Sequence, residues 1–322
     1  MENRAISLRV SVTDLCQLRC LYCMPADGIE KHTCDEILRF EEIVRCVHIL
    51  KSNFQLAKVH LTGGEPLIRR GIVDLVDMLA RAGLDDLALT TNGQSLGSLA
   101  HQLKAAGLRR VNVSLNSLKP DVFRQLSRGG ELGKTLDGLE AAEACGLAPI
   151  KLNVVVLRHL NSDEIGDIAA FGLRKDMQIR FLELMPIGPA AKSLDDWFVS
   201  SAEVYQALSE TFDLRPIPDV PGGSSRQYQA TDRQGRTGTL GFISSQTDPF
   251  CGRCTRLRLT STGQLLGCLA RGEGPDLRDL LRCDDPSSAR QVVQAVRDVL
   301  ALKQTAGTRL FTTTRPMVTV GG

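Results

Sequence analysis

A chain of 322 residues, 43% hydrophobic and 24% charged, has the length and composition for a full globular core, as one large α/β barrel or as two domains. Its formal net charge of +2 lacks the basic excess of a nucleic-acid binder, so any cationic work falls to a local cluster. No apolar run approaches the roughly 18 residues of a bilayer span, and "MENRAISLRV" contains no signal-peptide core; a cytoplasmic protein with neither a membrane nor a nucleic-acid partner is expected.

In chain order, "ISLRVSV" reads as a strand and residues 40–52 as a helix. "AKVHLTG" is the next strand, followed by a helix in which Ile72, Leu75, Val76 and Leu79 recur at helical spacing. "DLALTTNG" ends on a Thr/Asn/Gly stop, and Leu96, Leu99 and Leu103 mark another helix. "RRVNVSL", "PIKLNVVVL" and "MQIRFLELM" supply three more strands with helical stretches between them. Six βα repeats predict a parallel sheet curled into a barrel, and the chemistry of such a barrel gathers at the C-terminal ends of its strands. "TDLCQLRC", "TGGEP", "TTNG" and "VSLNS" all fall at such ends. Beyond residue 186 the segments "PIGPA" and "PIPDVPGGSS" change the texture. The expected organisation is a partial (β/α)6 TIM-like barrel over residues 1–189 and a C-terminal extension over 190–322.

Ten cysteines in a large, apparently cytosolic chain point to metal or catalysis where they cluster. Cys16, Cys20 and Cys23 are spaced C-x3-C-x2-C, and three thiolates on one loop can hold three corners of an iron–sulfur cubane, leaving the fourth iron open. A zinc site completed by His32 is the competitor. Cys251, Cys254 and Cys268 repeat the deficit, and no histidine lies beyond His159. Cys283 is available to complete a four-cysteine zinc ribbon. Cys34, Cys46, Cys145 and Cys283 otherwise read as small buried hydrophobes. Arg256 and Arg258 alternate about Leu257, which puts both arginines on one face of a strand. Arg9 and Arg180 sit inside predicted barrel strands, where an unpaired charge is costly.

"CQLRCLYC" matches the cysteine signature of the radical S-adenosylmethionine enzymes, and "TGGEP" resembles their glycine-rich motif, in which paired glycines let backbone approach a ligand. With "LTTNG", "AGLRRVNVSLNSL", "IKLNVVVL", "IRFLELMPIG", "CGRCTRLRLTSTGQLLGCLA" and the terminal "GG", the whole chain resembles the GTP 3′,8-cyclase family, which opens molybdenum-cofactor biosynthesis. That resemblance implies two [4Fe-4S] clusters, on Cys16, Cys20 and Cys23 and on Cys251, Cys254 and Cys268. It implies S-adenosylmethionine against Tyr22, Gly64, Ser114 and Met185, cleaved to a 5′-deoxyadenosyl radical that takes hydrogen from C3′ of GTP so that C3′ attacks C8. GTP would meet Arg9, His60, Thr90, Lys151, Arg180, Arg256, Leu257 and Arg258. The N-terminal cysteines with Arg256 and Arg258 form the catalytic set, and the tail Gly321–Gly322 enters the site. The resemblance also implies an electron donor, transfer of product to cyclic pyranopterin monophosphate synthase, and a monomer or homodimer.

Three positions depart from the family pattern. His60 stands where arginine is usual, Asn116 where aspartate is, and Leu15 where a basic residue is. With a reference pKa of about 6.5, His60 is expected to weaken triphosphate binding and make it pH-dependent between about pH 6 and 8. The rival readings are a peptide-modifying radical enzyme with auxiliary clusters and a zinc-binding interaction protein.

Overall fold

The computed structural model describes residues 5–219, 222–305 and 315–321. Its βα succession runs β1 (Ile6–Ser11), α1 (Phe40–Asn53), β2 (Leu56–Thr62), α2 (Ile72–Arg81), β3 (Leu87–Thr91), α3 (Leu96–Ala105) and β4 (Arg110–Ser114). It continues through α4 (Pro120–Ser127), α5 (Leu132–Ala144), β5 (Lys151–Val155), α6 (Ile165–Arg174) and β6 (Gln178–Leu182). The six strands are parallel and pair in sequence order, so the sequence pattern and the observed fold agree.

Alternation along each strand separates two environments. Leu8, Val10, Val59, Leu61, Leu87, Leu89, Val111, Val113, Leu152 and Val154 enter one continuous core beneath the helices. Helix α1 contributes Ile43, Cys46, Val47 and Leu50 to that core, and α2 contributes Ile72, Leu75, Val76 and Leu79. Each such side chain stabilises the fold by roughly 1.5–3 kcal/mol on full burial. The opposite strand face carries Arg9, His60, Thr90, Asn112, Lys151 and Arg180. A TIM barrel packed with aliphatic side chains has no such lining.

After residue 186 come α7 (Leu194–Trp197), α8 (Ser201–Ser209), β7 (Asp213–Pro216), β8 (Arg226–Thr231) and β9 (Thr237–Ile243). Then follow β10 (Arg256–Leu259), β11 (Leu265–Leu266), α9 (Arg278–Arg282) and α10 (Pro286–Thr305). The strand order is β11-β10-β1-β2-β3-β4-β5-β6-β9-β8-β7. Strand β10 pairs parallel with β1, and β9 pairs parallel with β6. The later residues therefore continue the sheet at both margins as well as packing on it. An incomplete barrel has unpaired backbone groups along its two edge strands, and added strands satisfy them.

Candidate active site

The C-terminal mouth is built around the loop from Thr13 to Met24. Helix α4 holds this loop, because the amides of Arg19 and Leu21 donate to the carbonyls of Ser127 and Leu126, each at 3.0 Å. The glycine pair holds it from the other side. The Gly64 amide donates to Thr13 O at 2.6 Å and the Glu65 amide to Leu15 O at 2.8 Å. A Cβ on Gly64 would stand 2.2 Å from Leu15 O, so the space freed by this glycine is filled by the cysteine loop itself. Glu65 is buried and accepts from Thr91 Oγ1 and the Asn92 amide, both at 2.7 Å, and from the Leu67 amide at 3.0 Å. One carboxylate thus locks "TGGEP" to "TTNG". Asn92 in turn reaches the Cys16 thiol through Nδ2 at 3.8 Å.

Burial pushes the Cys16 thiol up to about 12 and Cys20 to about 11; it also raises Cys23, with Cys20 and Cys16 adding to the shift. A thiolate at any of the three is disfavoured unless a positive centre takes it. Three thiols without disulfides on one loop are the soft donor set that iron–sulfur clusters use. Beside them a pocket is lined by Cys20, Tyr22, Asn92, Ser114, Asn116 and Phe123. Tyr22 Oη accepts from Asn116 Nδ2 at 2.8 Å, and Asn116 Oδ1 accepts from the Val155 amide at 2.9 Å. Asn116 accordingly fixes Tyr22 through a donor that aspartate lacks. Met185 is half-buried just beyond β6.

The barrel interior is cationic. The registers place Arg258, Arg9 and His60 side by side on β10, β1 and β2, and Thr90, Asn112 and Lys151 side by side on β3, β4 and β5. Arg180 stands opposite Asn153 on the next strand pair. Burial, reinforced by neighbouring arginines, lowers Arg9 well below the arginine range. It brings Arg180 and Arg258 to about 10 and Lys151 to about 7. Arg180 Nε and Arg256 Nη2 are buried without a hydrogen-bond partner among the described residues. Unpaired buried donors on cations are costly, and a polyanion is the ligand that removes the cost. His60 Nε2 lies 2.6 Å from Thr90 Oγ1 and 3.4 Å from Asn112 Nδ2. Burial first, then Arg9, Arg110, Arg180 and Lys58, lowers its pKa well below the usual value. A proton on His60 is therefore disfavoured in the ligand-free protein, which argues against the expected titration near the reference value.

The second triplet lies at the opposite, N-terminal mouth. Cys251 and Cys254 precede β10, whose Arg256 is level with Ser7. The antiparallel pairing of Arg258 with Leu266 carries the chain back, so that Cys268 returns beside Arg256. Lys303 of α10 closes this end, donating to the carbonyls of Arg256 at 2.5 Å and Gly267 at 2.7 Å. Burial alone would raise Cys254, but Lys303 and Arg256 together bring it below the ordinary thiol value. A six-residue strand such as β1 rises about 17–20 Å, which sets the scale between the two mouths. Into this space comes the tail. The Met317 amide donates to Cys23 O at 3.1 Å, and Arg258 Nη1 donates to the carbonyl of Gly321. Gly322 lies outside the described residues.

Several sequence readings need correction. Leu257 is fully buried in the hydrophobic core, because the alternation that turns Arg256 and Arg258 inward turns it outward. His32 does not face the thiols as a fourth ligand; its Nδ1 pairs with Asp14 Oδ2. Cys34 and Cys283 are exposed rather than buried, and Cys145 is half-buried, since each sits on a loop or helix end. Among the described residues no three His, Cys, Asp or Glu side chains close on a single metal ion. The sequence reading also missed Lys58, Arg110, Asn112, Asn92 and Lys303. Lys58 and Asn112 were reachable, since each alternates in its strand with a residue already singled out.

A parallel barrel with three cysteines on the loop after its first strand defines the radical S-adenosylmethionine class, which uses an iron–sulfur cluster and S-adenosylmethionine. Residues 10–172 match the Radical SAM superfamily, and residues 177–308 match Molybdenum Cofactor Synthesis C. The GTP 3′,8-cyclase of Pelotomaculum thermopropionicum is 42% identical over 303 residues, covering 92% of this chain and 90% of its own. That of Alkaliphilus oremlandii is 43% identical over 295 residues, covering 91% and 89%. Streptococcus suis SuiB bound to S-adenosylmethionine shares the fold with a TM-score of 0.62 at 14% identity, over 89% of this chain and 68% of SuiB. The chain belongs to the GTP 3′,8-cyclase family. No helix among its described residues is long and apolar enough to cross a membrane.

Proposed function

We propose that this protein converts GTP to (8S)-3′,8-cyclo-7,8-dihydroguanosine 5′-triphosphate, an early step of molybdenum-cofactor biosynthesis. The observation that carries the reading is a cationic barrel interior in which Arg180 Nε and Arg256 Nη2 are buried without a partner among the described residues, lying between two cysteine triplets at opposite mouths. Cys16, Cys20 and Cys23 would hold one [4Fe-4S] cluster beside a pocket bearing Tyr22 and Ser114, and the family resemblance adds Gly64 and Met185 to the S-adenosylmethionine site. Cys251, Cys254 and Cys268 would hold a second. When bound, the first cluster and S-adenosylmethionine supply a hydrogen-abstracting organic radical.

The chain's own residues do the positioning. Arg9, Lys151, Arg180, Arg256 and Arg258 hold the triphosphate, and Thr90 with His60 offers neutral hydrogen bonds at its flank. Fixing the nucleotide between the two mouths is the kind of orientation worth roughly 7–11 kcal/mol of barrier. Gly321 lies against Ser11 and Thr62, both 3.4 Å from where its Cβ would stand, so the tail backbone packs directly on the ends of β1 and β2. An electron donor and transfer of product to cyclic pyranopterin monophosphate synthase belong to this reading. The buried cations favour it over peptide modification, because a peptide backbone offers no polyanion.

Anaerobic reconstitution tests the proposal. About eight irons per chain, falling to about four in a Cys251/Cys254/Cys268→Ser variant, are expected for two cubanes. GTP-dependent 5′-deoxyadenosine should form in the wild type with dithionite. Two clusters without GTP consumption would reject the substrate.

A further inference from the structure

Every strand from β10 through β6 except β3 turns a cation into the barrel, namely Arg256 and Arg258, Arg9, Lys58, Arg110, Lys151 and Arg180. Strand β3 contributes Thr90, and β9 brings Gly241 beside Arg180. Among the described residues, a carboxylate that acts on Lys151 is Asp86, and it is already engaged by Arg110 in two hydrogen bonds of 2.8 Å. Most members of the row are guanidinium groups, which keep their proton in such company. Two members are primary amines, Lys58 on β2 and Lys151 on β5, and Lys151 is the one shifted to about 7, flanked in register by Asn112 and Gln178, neither of which carries charge.

We infer that Lys151 loses its proton in the ligand-free barrel at mildly alkaline pH and takes one up from solvent when the triphosphate of GTP binds, so that substrate binding and protonation are one linked event. The inference rests on the GTP reading above. Geometry supplies the cause: the amine is buried in the barrel wall and crowded there by like charges, and a polyanion opposes that field at the same atom. The value of about 7 brought on by burial and by Arg180, Arg110 and Lys58 agrees with this arrangement. Linkage then requires GTP affinity to fall by close to tenfold per pH unit above about pH 7.

Calorimetric titration of the anaerobically reconstituted protein with GTP, in two non-phosphate buffers of different ionisation heat, reads the proton directly. At about pH 8 the γ-phosphate of free GTP carries almost no proton, so uptake must fall on the protein. Close to one proton per GTP is expected there. Lys151→Arg should still bind GTP but with a heat independent of buffer, because guanidinium stays charged. Binding by the wild type with no buffer dependence at pH 8 overturns the inference and leaves the GTP reading intact. Undiminished uptake in Lys151→Arg overturns the assignment to Lys151. An iron-loaded wild type that binds no GTP rejects the underlying reading instead. The wild-type pH series stands without the variant.

Discussion

Arg258 donates through Nη1 to the carbonyl of Gly321, while Met317, four residues earlier, donates its amide to Cys23 O at 3.1 Å. The tail therefore bridges the N-terminal cysteine loop and an arginine of the barrel interior. Gly321 adopts φ +72°, a left-handed conformation natural to glycine. A hydrogen bond to a charged group contributes about 1.5–3 kcal/mol, or roughly ten- to 100-fold. Deleting Gly321 and Gly322 should lower GTP-dependent 5′-deoxyadenosine formation at least about tenfold with iron content unchanged. Full turnover by the truncated chain would remove the tail from the site.

Gly64→Ala should disable the N-terminal triplet selectively. Its Cβ would meet Leu15 O at 2.2 Å and Asp14 O at 2.7 Å, and both neighbours are backbone, so the cysteine loop must move. Reconstituted iron should fall from about eight to about four per chain, as expected for loss of one cubane. Gly133→Ala is the control, since a Cβ there meets nothing within 4 Å. Equal iron in both variants would sever the glycine pair from the cluster loop.

The parallel barrel was legible because period-two strands and period-3.6 helices alternate from Ile6 to Leu182 with stop signals between them. The cysteine triplets and the interior arginines were legible for a different reason, namely spacing within one loop or one strand. What the sequence hid is long-range. Nothing local in "TGTLGFI" or "RLRL" says that β9 and β10 pair with opposite margins of the same sheet. The union of Lys303 with the carbonyls of Arg256 and Gly267 likewise joins segments 47 and 36 residues apart. Leu257 was misjudged because a motif was carried over whole, although the alternation that selects Arg256 and Arg258 excludes the residue between them.

Lys303→Met should damage the second triplet without touching the first. The ammonium group satisfies two carbonyls and helps to lower the Cys254 thiol. Leaving those acceptors unpaired costs about 1–3 kcal/mol each where they are buried. Thermal unfolding should therefore begin lower, and iron content should drop toward about four. Lys303→Arg restores charge but not the compact fit and should fall between the two. Iron content equal to wild type in Lys303→Met would confine this lysine to a structural role.

His60→Arg should act in opposite directions on the empty and the GTP-bound protein. Burial disfavours a proton on the wild-type imidazole, and a guanidinium there would add a fixed cation beside Arg9, itself paired in register with Arg258. Burying that unpaired charge should destabilise the ligand-free fold by about 1–3 kcal/mol. The triphosphate then offsets the charge, so the gap in thermal midpoint should shrink or reverse with saturating GTP. Acid provides a second readout. The folded-state pKa of His60 lies below the unfolded value, so its contribution to stability is present above about pH 6.5 and is lost as pH falls toward the folded-state value. His60→Gln, which cannot take the proton, should lose less stability than wild type between about pH 6.5 and 5 in denaturant titrations. Parallel pH profiles for the two proteins would show that folding leaves the pKa of His60 unshifted, and the neutral row of His60, Thr90 and Asn112 would have to be abandoned.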